Sequence, residues 1–390
     1  MAHRILVNGT VLLGPHTGIG QYVRALFSAM AADPALDLRV YNGWRFNEGF
    51  ALPSPGAALA ARSLYGAVRR LVPRPRSLRR MLEGPMFSLQ ARRFSPSALY
   101  HEPGFAAFPY DGPMVMSVYD LSCFDHPELH PAERVALVER HMPASIARAD
   151  HILAISHATA NALQHRFNVG PDRITVTHLA ADARFRPLPS SALDAPLAHF
   201  GLRPGGYVLS VGTLEPRKNL ATLFAAYEAL PQALRLAFPL VVAGITGWHE
   251  AEIFRSAQTL LRRGELRLLG FVPDDSMPPL YAGAAAFCYP SRYEGFGLPP
   301  LEAMACGVPV ITSNRTSLPE VVGDAGLMVD PDDVDGLRLS LERLLEDGAL
   351  ARDLAARGMQ RAAGFSWQRC AQETAAVYRR VLDAHRRTGG

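Results

Sequence analysis

Lysine is almost absent from this chain. Among its 390 residues, 40 are Lys or Arg, and Lys218 is the single lysine. A compact ammonium and a planar guanidinium suit different sites, so a chain that otherwise uses arginine is expected to keep a lysine where a point charge is needed. Lys218 is therefore the first candidate for a functional cation.

Cysteine and long apolar runs are also scarce. The four cysteines are scattered and form no CxxC pair, which argues against a zinc site and is typical of a reducing compartment. No apolar run reaches the roughly 18 to 20 residues that span a bilayer, and the start, MAHRILVNGTVLLG, is too short and too broken by glycine for a secretory segment. These absences predict a soluble, cytoplasmic protein.

The net charge is small but unevenly distributed. A formal charge of +4 does not by itself indicate a nucleic-acid partner. Residues 62–93, however, contain nine arginines and one acid, Glu83, with apolar residues between them. This pattern suits peripheral contact with an anionic membrane surface, and it suits an arginine-rich pair of solvated helices equally well.

Short apolar runs separated by helical periodicity occur in two series along the chain. The first series is RILVNG (4–9), DLRVYN (37–42), ALYHE (98–102), MVMSVYD (114–120), HILAIS (151–156) and RITVTHL (173–179). The second is YVLSVG (207–212), PLVVAG (239–244), LRLLGF (266–271), AAFCYP (285–290), VPVITS (308–313) and GLMVD (326–330). Between them, residues 186–206 carry four prolines and no periodicity, which predicts a linker.

This alternation predicts an α/β fold with two Rossmann-like domains of parallel strands, at residues 1–190 and 205–369. A last helix, beginning near Trp367, follows the final strand without another strand after it. Ligands bind at the carboxyl ends of such strands, and the cleft between two facing domains is the expected site.

The stretch YEGFGLPPLE (293–302) follows a predicted strand and opens a predicted helix, with prolines in its first turn and Gly307 as its C-terminal cap. The expected helix N-terminus presents four backbone N–H groups, which attract a phosphate or sugar oxygens. These groups belong to Gly295, Phe296, Gly297 and Leu298.

Two glutamates flank this turn, and carboxylates bind vicinal hydroxyls in pairs. Glu294 is the candidate for the hydroxyls of a sugar and Glu302 for those of a ribose. The alternative is structural, with Glu302 favouring the helix N-terminus and Glu294 capping it.

The loop VGTLEPRKNL (211–220) contains the lone lysine beside an arginine. Arg217 and Lys218 suit a diphosphate leaving group, which gains negative charge as its bond breaks. Such compensation can replace a metal, and no metal or cofactor is expected. The alternative is a solvated turn.

Two loops of the first half carry weaker signals. In GPHTGIGQYVRAL (14–26), Gly18 and Gly20 resemble part of a dinucleotide fingerprint, but the second strand ends in Tyr41 and Asn42 rather than in an acid that would bind a ribose. Gly18 instead allows close approach to a phosphate. In SVYDLSCFDHPE (117–128), Asp120 either contacts the sugar or orders a turn.

An acidic run resembles a metal-binding pattern without supporting one. In VDPDDVDG (329–336), the aspartates precede a predicted helix, where they are expected to cap its N-terminus. The chain also contains no HExxH, GxSxG or P-loop motif.

Taken together, GTLEPRKN, LGFVP, YPSRYEGFGLPPLEAMACGVPVI and LPEVVGDAG resemble the family 4 retaining glycosyltransferases of the GT-B fold, in particular the mannosyltransferase-like members that build bacterial surface polysaccharides. The resemblance covers nearly all of residues 205–370. The first half is similar more loosely, through TGIGQYVR, YDLSCFDHPE and AISHATAN.

The resemblance implies a nucleotide-sugar donor, with GDP-mannose favoured, held mainly by the second domain. A lipid-linked or oligosaccharide acceptor would bind the first domain, onto which the last helix, about 370–390, would cross back. Departure of the diphosphate would leave an oxocarbenium-like sugar, which the acceptor hydroxyl attacks on the same face. The resemblance assigns Glu294 to the donor sugar, Glu302 to the ribose, Arg217, Lys218 and Gly18 to the phosphates, and the backbone near Phe271 and Val272 to the base.

Two positions depart from the family pattern. Many relatives carry a histidine directly before the aspartate that is Asp120 here, and this chain has Tyr119. Many also have an arginine where this chain has Thr213, a donor-site position whose missing charge Arg217 would supply.

Two other functions suit the same architecture. A sugar-nucleotide 2-epimerase would need a further acid and base in the cleft, for which the sequence offers no candidates. A subunit that binds a nucleotide sugar without turnover would be compatible with Tyr119.

Overall fold

A computed structural model of the chain describes residues 2–13, 18–50, 75–94, 97–248 and 250–388, with the backbone alone for 75–82, 250 and 388. Most side chains of the arginine-rich stretch 62–93 are outside the described part of the chain. The membrane contact expected from this stretch therefore also falls outside it.

Thirteen strands and fifteen helices are present in the described part of the chain. The strands are β1 (His3–Asn8), β2 (Leu36–Tyr41), β3 (Phe46–Glu48), β4 (Leu99–Glu102), β5 (Met114–Val118), β6 (His151–Ala154), β7 (Ile174–Val176), β8 (Val208–Val211), β9 (Leu240–Ala243), β10 (Leu266–Gly270), β11 (Ala286–Tyr289), β12 (Val310–Ser313) and β13 (Leu327–Val329). The helices are α1 (Gly18–Met30), α2 (Pro75–Ala91), α3 (Ser122–Asp125), α4 (Ala132–Arg148), α5 (His157–Phe167), α6 (Ser190–His199), α7 (Leu220–Glu228), α8 (Gln232–Ala237), α9 (Glu250–Arg262), α10 (Met277–Ala282), α11 (Leu298–Ala305), α12 (Leu318–Val322), α13 (Val334–Glu346), α14 (Gly348–Ala363) and α15 (Trp367–Thr388).

The contacts of the chain divide it into two units. The first comprises Met1–Tyr119, Glu133–Leu179 and Trp367–Gly390, and the second comprises Asp120–Ala132 and Ala180–Ser366. Each unit contains a sheet of mainly or wholly parallel strands with helices packed against it, which confirms the predicted pair of Rossmann-like domains.

The first sheet has the order β3-β2-β1-β4-β5-β6-β7. All six predicted strands of the first series are present and pair in parallel, and every residue of β5 is buried, as expected for a parallel sheet covered on both faces. The antiparallel edge strand β3 was not predicted, because three residues are too few for a periodic signal.

The last helix, α15, packs against α1 within the first unit. Buried hydroxyl and imidazole groups join it to the sheet: the Tyr378 hydroxyl lies 2.5 Å from His101 Nδ1, and His101 Nε2 lies 2.8 Å from Ser117 Oγ. The Tyr22 hydroxyl of α1 lies 2.8 Å from the same Ser117 Oγ. We call these four residues the neutral cluster.

The second sheet has the order β10-β9-β8-β11-β12-β13, with every pair parallel. All six predicted strands of the second series are present. The chain runs from β8 to one side of the sheet and from β11 to the other, so the carboxyl ends of these two neighbouring strands form the switch point at which ligands of such sheets bind.

The linker predicted for residues 186–206 is wrong in part, because Ser190–His199 forms helix α6. Leu193 and Leu197, four residues apart, are buried on one face of this helix, which packs against α10. A single apolar pair at helical spacing is too short a pattern to outweigh four prolines in the sequence, but it is enough once a neighbouring helix covers it.

Two further findings bear on the sequence predictions. The four cysteines are free and buried. Among the described helices, none combines the length and the apolar composition required to cross a membrane.

Candidate active site

Two loops at the switch point of the second sheet carry the strongest sequence signals. After β8, Pro216–Lys218 forms one turn of 3-10 helix, and Asn219 adopts a left-handed conformation before α7 begins. After β11, the chain turns through Gly297, whose φ of 115° favours glycine, into α11. As predicted, prolines occupy the first turn of α11, and Gly307 follows its end with φ of 76°.

The Glu294 carboxylate gathers side chains from both loops. Its Oε1 accepts hydrogen bonds from Lys218 Nζ at 2.7 Å, Ser291 Oγ at 2.6 Å and the Tyr289 hydroxyl at 2.9 Å. Its Oε2 accepts one from Arg217 Nη1 at 3.0 Å. The lone lysine therefore lies directly beside the glycine turn, 76 residues further along the chain.

Arg217 is fixed by a second carboxylate. Its Nη2 and Nε donate to Oε1 of Glu215 at 2.6 and 3.0 Å, and its Nη1 donates to the Tyr293 carbonyl oxygen at 2.8 Å. Glu215 is buried. Sequence reasoning missed Glu215, although it stands two residues before Arg217 in the same motif. We call Glu215, Arg217, Lys218 and Glu294 the ionic cluster.

The ionic cluster balances two half-buried cations against two buried carboxylates. Burial alone would raise the pKa of Glu294, but the charges of Arg217 and Lys218 outweigh it and lower the pKa to about 2. Burial, reinforced by Arg217, lowers the pKa of Lys218 against the opposing pull of both glutamates. Burial would also lower the pKa of Arg217, but Glu294 and Glu215 raise it overall.

The two cations retain donor capacity toward a ligand. The ammonium of Lys218 has three N–H groups and, among the residues that the structure describes, uses two of them, toward Glu294 and toward the Tyr289 hydroxyl at 2.5 Å. The guanidinium of Arg217 has five and uses four within the described residues. Each cation thus keeps one donor in a position that the carboxylates hold fixed.

The glycine turn is braced by the loop that follows β12. The Glu294 N–H donates to Thr316 Oγ1 at 3.0 Å, and the single hydroxyl donor of Ser317 lies between the carbonyl oxygens of Glu294 and Phe296, at 2.9 and 2.7 Å. Gly295, Phe296 and Gly297 are buried, and Leu298 begins the helix half-buried. Sequence reasoning missed this brace because its two hydroxyls lie more than 20 residues away in the chain.

Glu302 is buried on α11, one turn beyond the glycine turn. Burial, together with the nearby Glu302 carboxylate, raises the pKa of the Tyr281 hydroxyl well above its usual value. The two glutamates that flank the glycine turn therefore have different surroundings, since Glu294 is paired with cations and Glu302 lies close to Tyr281.

Asp120 belongs to the second unit and forms a tight turn. Its Oδ1 accepts hydrogen bonds from Ser122 N at 2.9 Å and Ser122 Oγ at 2.6 Å. Asp120 therefore orders a turn, which was one of the two roles predicted for it. Its charge also contributes, after those of the two glutamates, to the raised pKa of Arg217. Asp120 therefore lies near the ionic cluster.

The other candidates of the second unit occupy the loops after β8 and β10. Thr213 is half-buried, two residues after the end of β8. Phe271 follows β10 with 64% of its surface exposed, while its neighbour Val272 is buried. All of these loops lie at the same edge of the sheet, because every strand is parallel.

Gly18 and Tyr119 belong to the first unit. Gly18 is exposed at the start of α1, with open space where a side chain would stand. The Tyr119 hydroxyl donates to the Pro103 carbonyl oxygen at 2.8 Å, and its ring meets that of Tyr22 edge-on. Tyr119 is therefore held within its own unit by contacts that a histidine would not reproduce.

The acidic run 329–336 caps a helix, as predicted. Asp333 Oδ1 accepts a hydrogen bond from Gly336 N at 2.8 Å at the start of α13. Asp330 pairs with Arg315 at 2.8 Å, and Asp332 pairs with Arg292 at the same distance.

Family models match both halves of the chain. The model described as "Glycosyl transferases group 1" matches residues 203–361, and the model described as "Glycosyltransferase Family 4" matches residues 17–185. The two matched ranges contain every predicted strand of the two series except the first, β1.

Curated relatives extend the match over nearly the whole chain. The O-antigen chain mannosyltransferase B of Escherichia coli is 37% identical over 369 residues, which cover 94% of this chain and 96% of the relative. The serotype-specific mannosyltransferase WbdA of Escherichia coli is 36% identical over 249 residues, which cover 63% of this chain and 30% of that longer protein.

Solved structures agree on the fold. Sucrose-phosphate synthase from Thermosynechococcus elongatus superposes with a TM-score of 0.73 at 20% identity, covering 98% of this chain and all of that one. WaaG, a glycosyltransferase involved in lipopolysaccharide biosynthesis, gives 0.66 at 16% identity, covering 96% and 99%. The sequence and fold matches together show that this chain belongs to the family 4 glycosyltransferases and has their GT-B fold.

Proposed function

We propose that this glycosyltransferase moves mannose from GDP-mannose to a lipid-linked or oligosaccharide acceptor during the assembly of a bacterial surface polysaccharide. The relative that matches over almost its full length is named an O-antigen chain mannosyltransferase, which supports both the sugar and the pathway. The structural observation that carries the proposal is the ionic cluster at the switch point of the second sheet.

The ionic cluster suits a leaving diphosphate. In the described part of the chain, one N–H of Lys218 and one of Arg217 remain for phosphate oxygens, and both groups are held by carboxylates before the ligand arrives. Charges that are oriented in advance stabilise a developing anion without the cost of reorganisation. As the bond to the sugar breaks, the growing negative charge on the diphosphate would meet these two donors.

The pKa of Glu294 is too low for a nucleophile or a general base. A carboxylate that accepts four hydrogen bonds and has a pKa of about 2 is weakly nucleophilic and weakly basic at neutral pH. This supports transfer on the same face of the sugar without an enzymic nucleophile. Glu294 would orient Lys218 and Arg217 and contact the sugar hydroxyls that come within its reach.

The remaining donor contacts follow the edge of the second sheet. Glu302 would bind the ribose hydroxyls, and the backbone at Phe271 and Val272 would bind the base. Asp120 would reach the sugar, and Gly18 of the first unit would contribute backbone to a phosphate. The buried position of Glu302 on α11 and the placement of Phe271 after β10 support these assignments.

We further propose that no metal ion takes part. Two fixed cations supply the positive charge for which other transferases use a divalent ion. Activity measured after exhaustive treatment with EDTA is therefore expected to equal that of untreated enzyme, and restoration of lost activity by Mg²⁺ or Mn²⁺ would contradict the proposal.

The acceptor is proposed to be lipid-linked and reached at a membrane surface. The nine arginines of residues 62–93 support this, because polybasic segments bind anionic lipid headgroups. Binding to vesicles of phosphatidylglycerol that is lost at high salt would agree with this part of the proposal. Equal binding to uncharged vesicles would contradict it.

The donor can be tested before any acceptor is known. A ligand that binds only the native state raises the melting temperature, so GDP-mannose, UDP-sugars and dTDP-sugars are compared at equal concentration by thermal shift. GDP-mannose is expected to give the largest shift. With acceptor present, GDP release should accompany a product heavier by one hexose, and release that is as fast without acceptor as with it would contradict a transferase.

A further inference from the structure

The segment Asp120–Ala132, which we call the bridge, follows a strand of the first sheet but belongs by its contacts to the second unit. It contains α3 and one turn of 3-10 helix, Pro127–Leu129. The bridge is closed on itself through buried groups, because His130 Nε2 lies 2.9 Å from Ser122 Oγ, and that hydroxyl donates to Asp120. Ser122 and His130 are only 1% and 5% exposed.

Two aromatic residues outside the bridge hold it at separate points. Trp248 Nε1 donates to the Leu129 carbonyl oxygen at 2.7 Å, and its ring lies 5.9 Å from that of His130. The Tyr293 hydroxyl donates to Asp125 Oδ2 at 3.2 Å. The Tyr293 ring also lies edge-on to His126, at 5.5 Å.

The strand order places these two anchors on opposite sides of the loop that carries Arg217 and Lys218. Trp248 stands in the loop after β9, and Tyr293 stands in the loop after β11. Between β9 and β11 lies β8, whose own loop carries Arg217 and Lys218. A segment fastened to both outer loops must pass over the loop between them.

Two observations support a position of the bridge over Arg217 and Lys218. The charge of Asp120, at the start of the bridge, acts on Arg217. Tyr293 also contacts both partners, since its hydroxyl binds the bridge while its carbonyl oxygen accepts a hydrogen bond from Arg217 at 2.8 Å. The bridge and the ionic cluster are thus joined through one residue.

We propose that Trp248 and Tyr293 are positioning residues that clamp the bridge over the leaving-group site, hold Asp120 toward the donor sugar and exclude water from the reacting carbon. This inference rests on the proposed transfer from a nucleotide sugar. Neither side chain touches the reacting atoms. Both act through the bridge.

A loosened bridge should admit water in place of the acceptor. Hydrolysis breaks the bond between the anomeric carbon and the diphosphate oxygen and joins a water oxygen to that carbon. The products are free mannose, GDP and one proton. The fraction of consumed donor that is hydrolysed rather than transferred therefore reports on the clamp, and a loss of folding stability alone would not change it.

The test compares Trp248→Phe and Tyr293→Phe with matched controls. Each variant removes one hydrogen-bond donor and keeps an aromatic ring. The controls are Trp44→Phe, at an exposed tryptophan of the first unit, and Tyr110→Phe, at a buried tyrosine whose hydroxyl donates to the Ala98 carbonyl oxygen at 2.7 Å. The hydrolysed fraction is expected to rise about fivefold in each anchor variant, the scale of losing one hydrogen bond, and to stay unchanged in both controls.

A second measurement does not depend on the donor. Amide hydrogen exchange in residues 121–131 is expected to become about fivefold faster in Trp248→Phe than in the wild type or Trp44→Phe, because local opening of the bridge becomes easier. Unchanged exchange, or a hydrolysed fraction equal to that of the controls, would overturn the inference. If a different nucleotide sugar raises the melting temperature most, the choice of GDP-mannose fails, and the hydrolysed fraction is measured with that donor instead.

Discussion

Each unit buries a group of polar side chains, and the two groups differ in charge and in place. The neutral cluster of the first unit joins the sheet to α1 and α15 through Tyr22, His101, Ser117 and Tyr378. The ionic cluster of the second unit lies instead at the carboxyl ends of β8 and β11. Burial lowers the pKa of His101 to about 3, so the first group carries no charge at neutral pH.

This difference separates stability from function. Hydrogen bonds between uncharged buried groups contribute about 1 kcal/mol each, whereas desolvation of buried ions offsets most of their attraction. An ion cluster is therefore a poor device for stability alone, and its presence at a switch point supports the charged donor proposed above. The neutral cluster holds α15 against the first sheet, and the ionic cluster holds two cations in fixed positions.

The largest expected effect is on catalysis. Lys218→Ala should lower kcat by about 10²-fold or more, the scale of losing one preorganised charge in a transition state. Lys218→Arg should not restore the rate, because a guanidinium cannot replace an ammonium enclosed between Tyr289 and Glu294. Steady-state kinetics with the donor found by thermal shift measures both variants.

The control for this prediction is Arg338→Ala, which removes a cation from a salt bridge with Glu342 on α13 of the same unit. It should leave kcat unchanged. Full transferase activity in purified Lys218→Ala would show that the leaving group is stabilised elsewhere.

A substitution in the neutral cluster should change stability and leave catalysis unchanged. His101→Phe keeps a ring of similar size in the first unit but leaves the Tyr378 hydroxyl without its partner at 2.5 Å. The free energy of unfolding should fall by about 1 to 3 kcal/mol, the cost of leaving a buried polar group unpaired, while kcat stays unchanged. Thermal unfolding and kinetics on the same preparation measure the two quantities, and a loss of kcat without a loss of stability would erase the contrast between the clusters.

As the pH falls, the neutral cluster should lose its contribution to stability before the ionic cluster does. Burial lowers the pKa of His101 from 6.5 in the unfolded chain to about 3 in the folded protein. As the pH falls, the imidazole is therefore protonated first in the unfolded chain, which favours unfolding. The contribution of His101 to stability is complete above pH 6.5 and is lost toward pH 3. Against its own burial, Arg217 and Lys218 lower the pKa of Glu294 from 4.5 to about 2, so its contribution is complete above pH 4.5 and is lost toward pH 2.

The melting temperature measured from pH 7 downward checks this order. His101→Phe should lose less stability than the wild type between pH 6.5 and pH 4.5, because it lacks the titrating imidazole. His151, whose pKa burial lowers to about 4, titrates in the same range in both proteins and cancels in the comparison. Parallel curves for the two proteins would contradict the assignment.

The sequence predicted the architecture well because strands in parallel sheets are marked locally. All twelve predicted apolar runs became strands, and the alternation with helices fixed their parallel pairing. The omissions were short features stabilised by neighbours, namely the edge strand Phe46–Glu48 and the helix Ser190–His199. Neither has enough periodic residues to stand out without its packing partner.

The site was predictable to the level of loops but not of contacts. That Lys218 would lie near Glu294 followed from both loops standing at strand carboxyl ends. That the two form one ion cluster with Glu215, braced through Thr316, did not follow, because register and side-chain direction across 76 and 22 residues are set by tertiary packing. The sequence assigned Glu294 and Lys218 to different parts of a donor, and the structure places their side chains in one cluster.

The smallest expected effect comes from a neutral member of the charged site. The Tyr289 hydroxyl lies 2.5 Å from Lys218 Nζ and 2.9 Å from Glu294 Oε1, so Tyr289→Phe removes two hydrogen bonds but no charge. Because Lys218 keeps its contact with Glu294, kcat should fall only about fivefold. Tyr207→Phe is the control, since its hydroxyl donates to the Leu280 carbonyl oxygen at 2.6 Å within the same unit. It should lower the melting temperature and spare kcat. An equal loss of kcat in both variants would mean that the rate follows the stability of the unit, and the ionic cluster would lose its separate role.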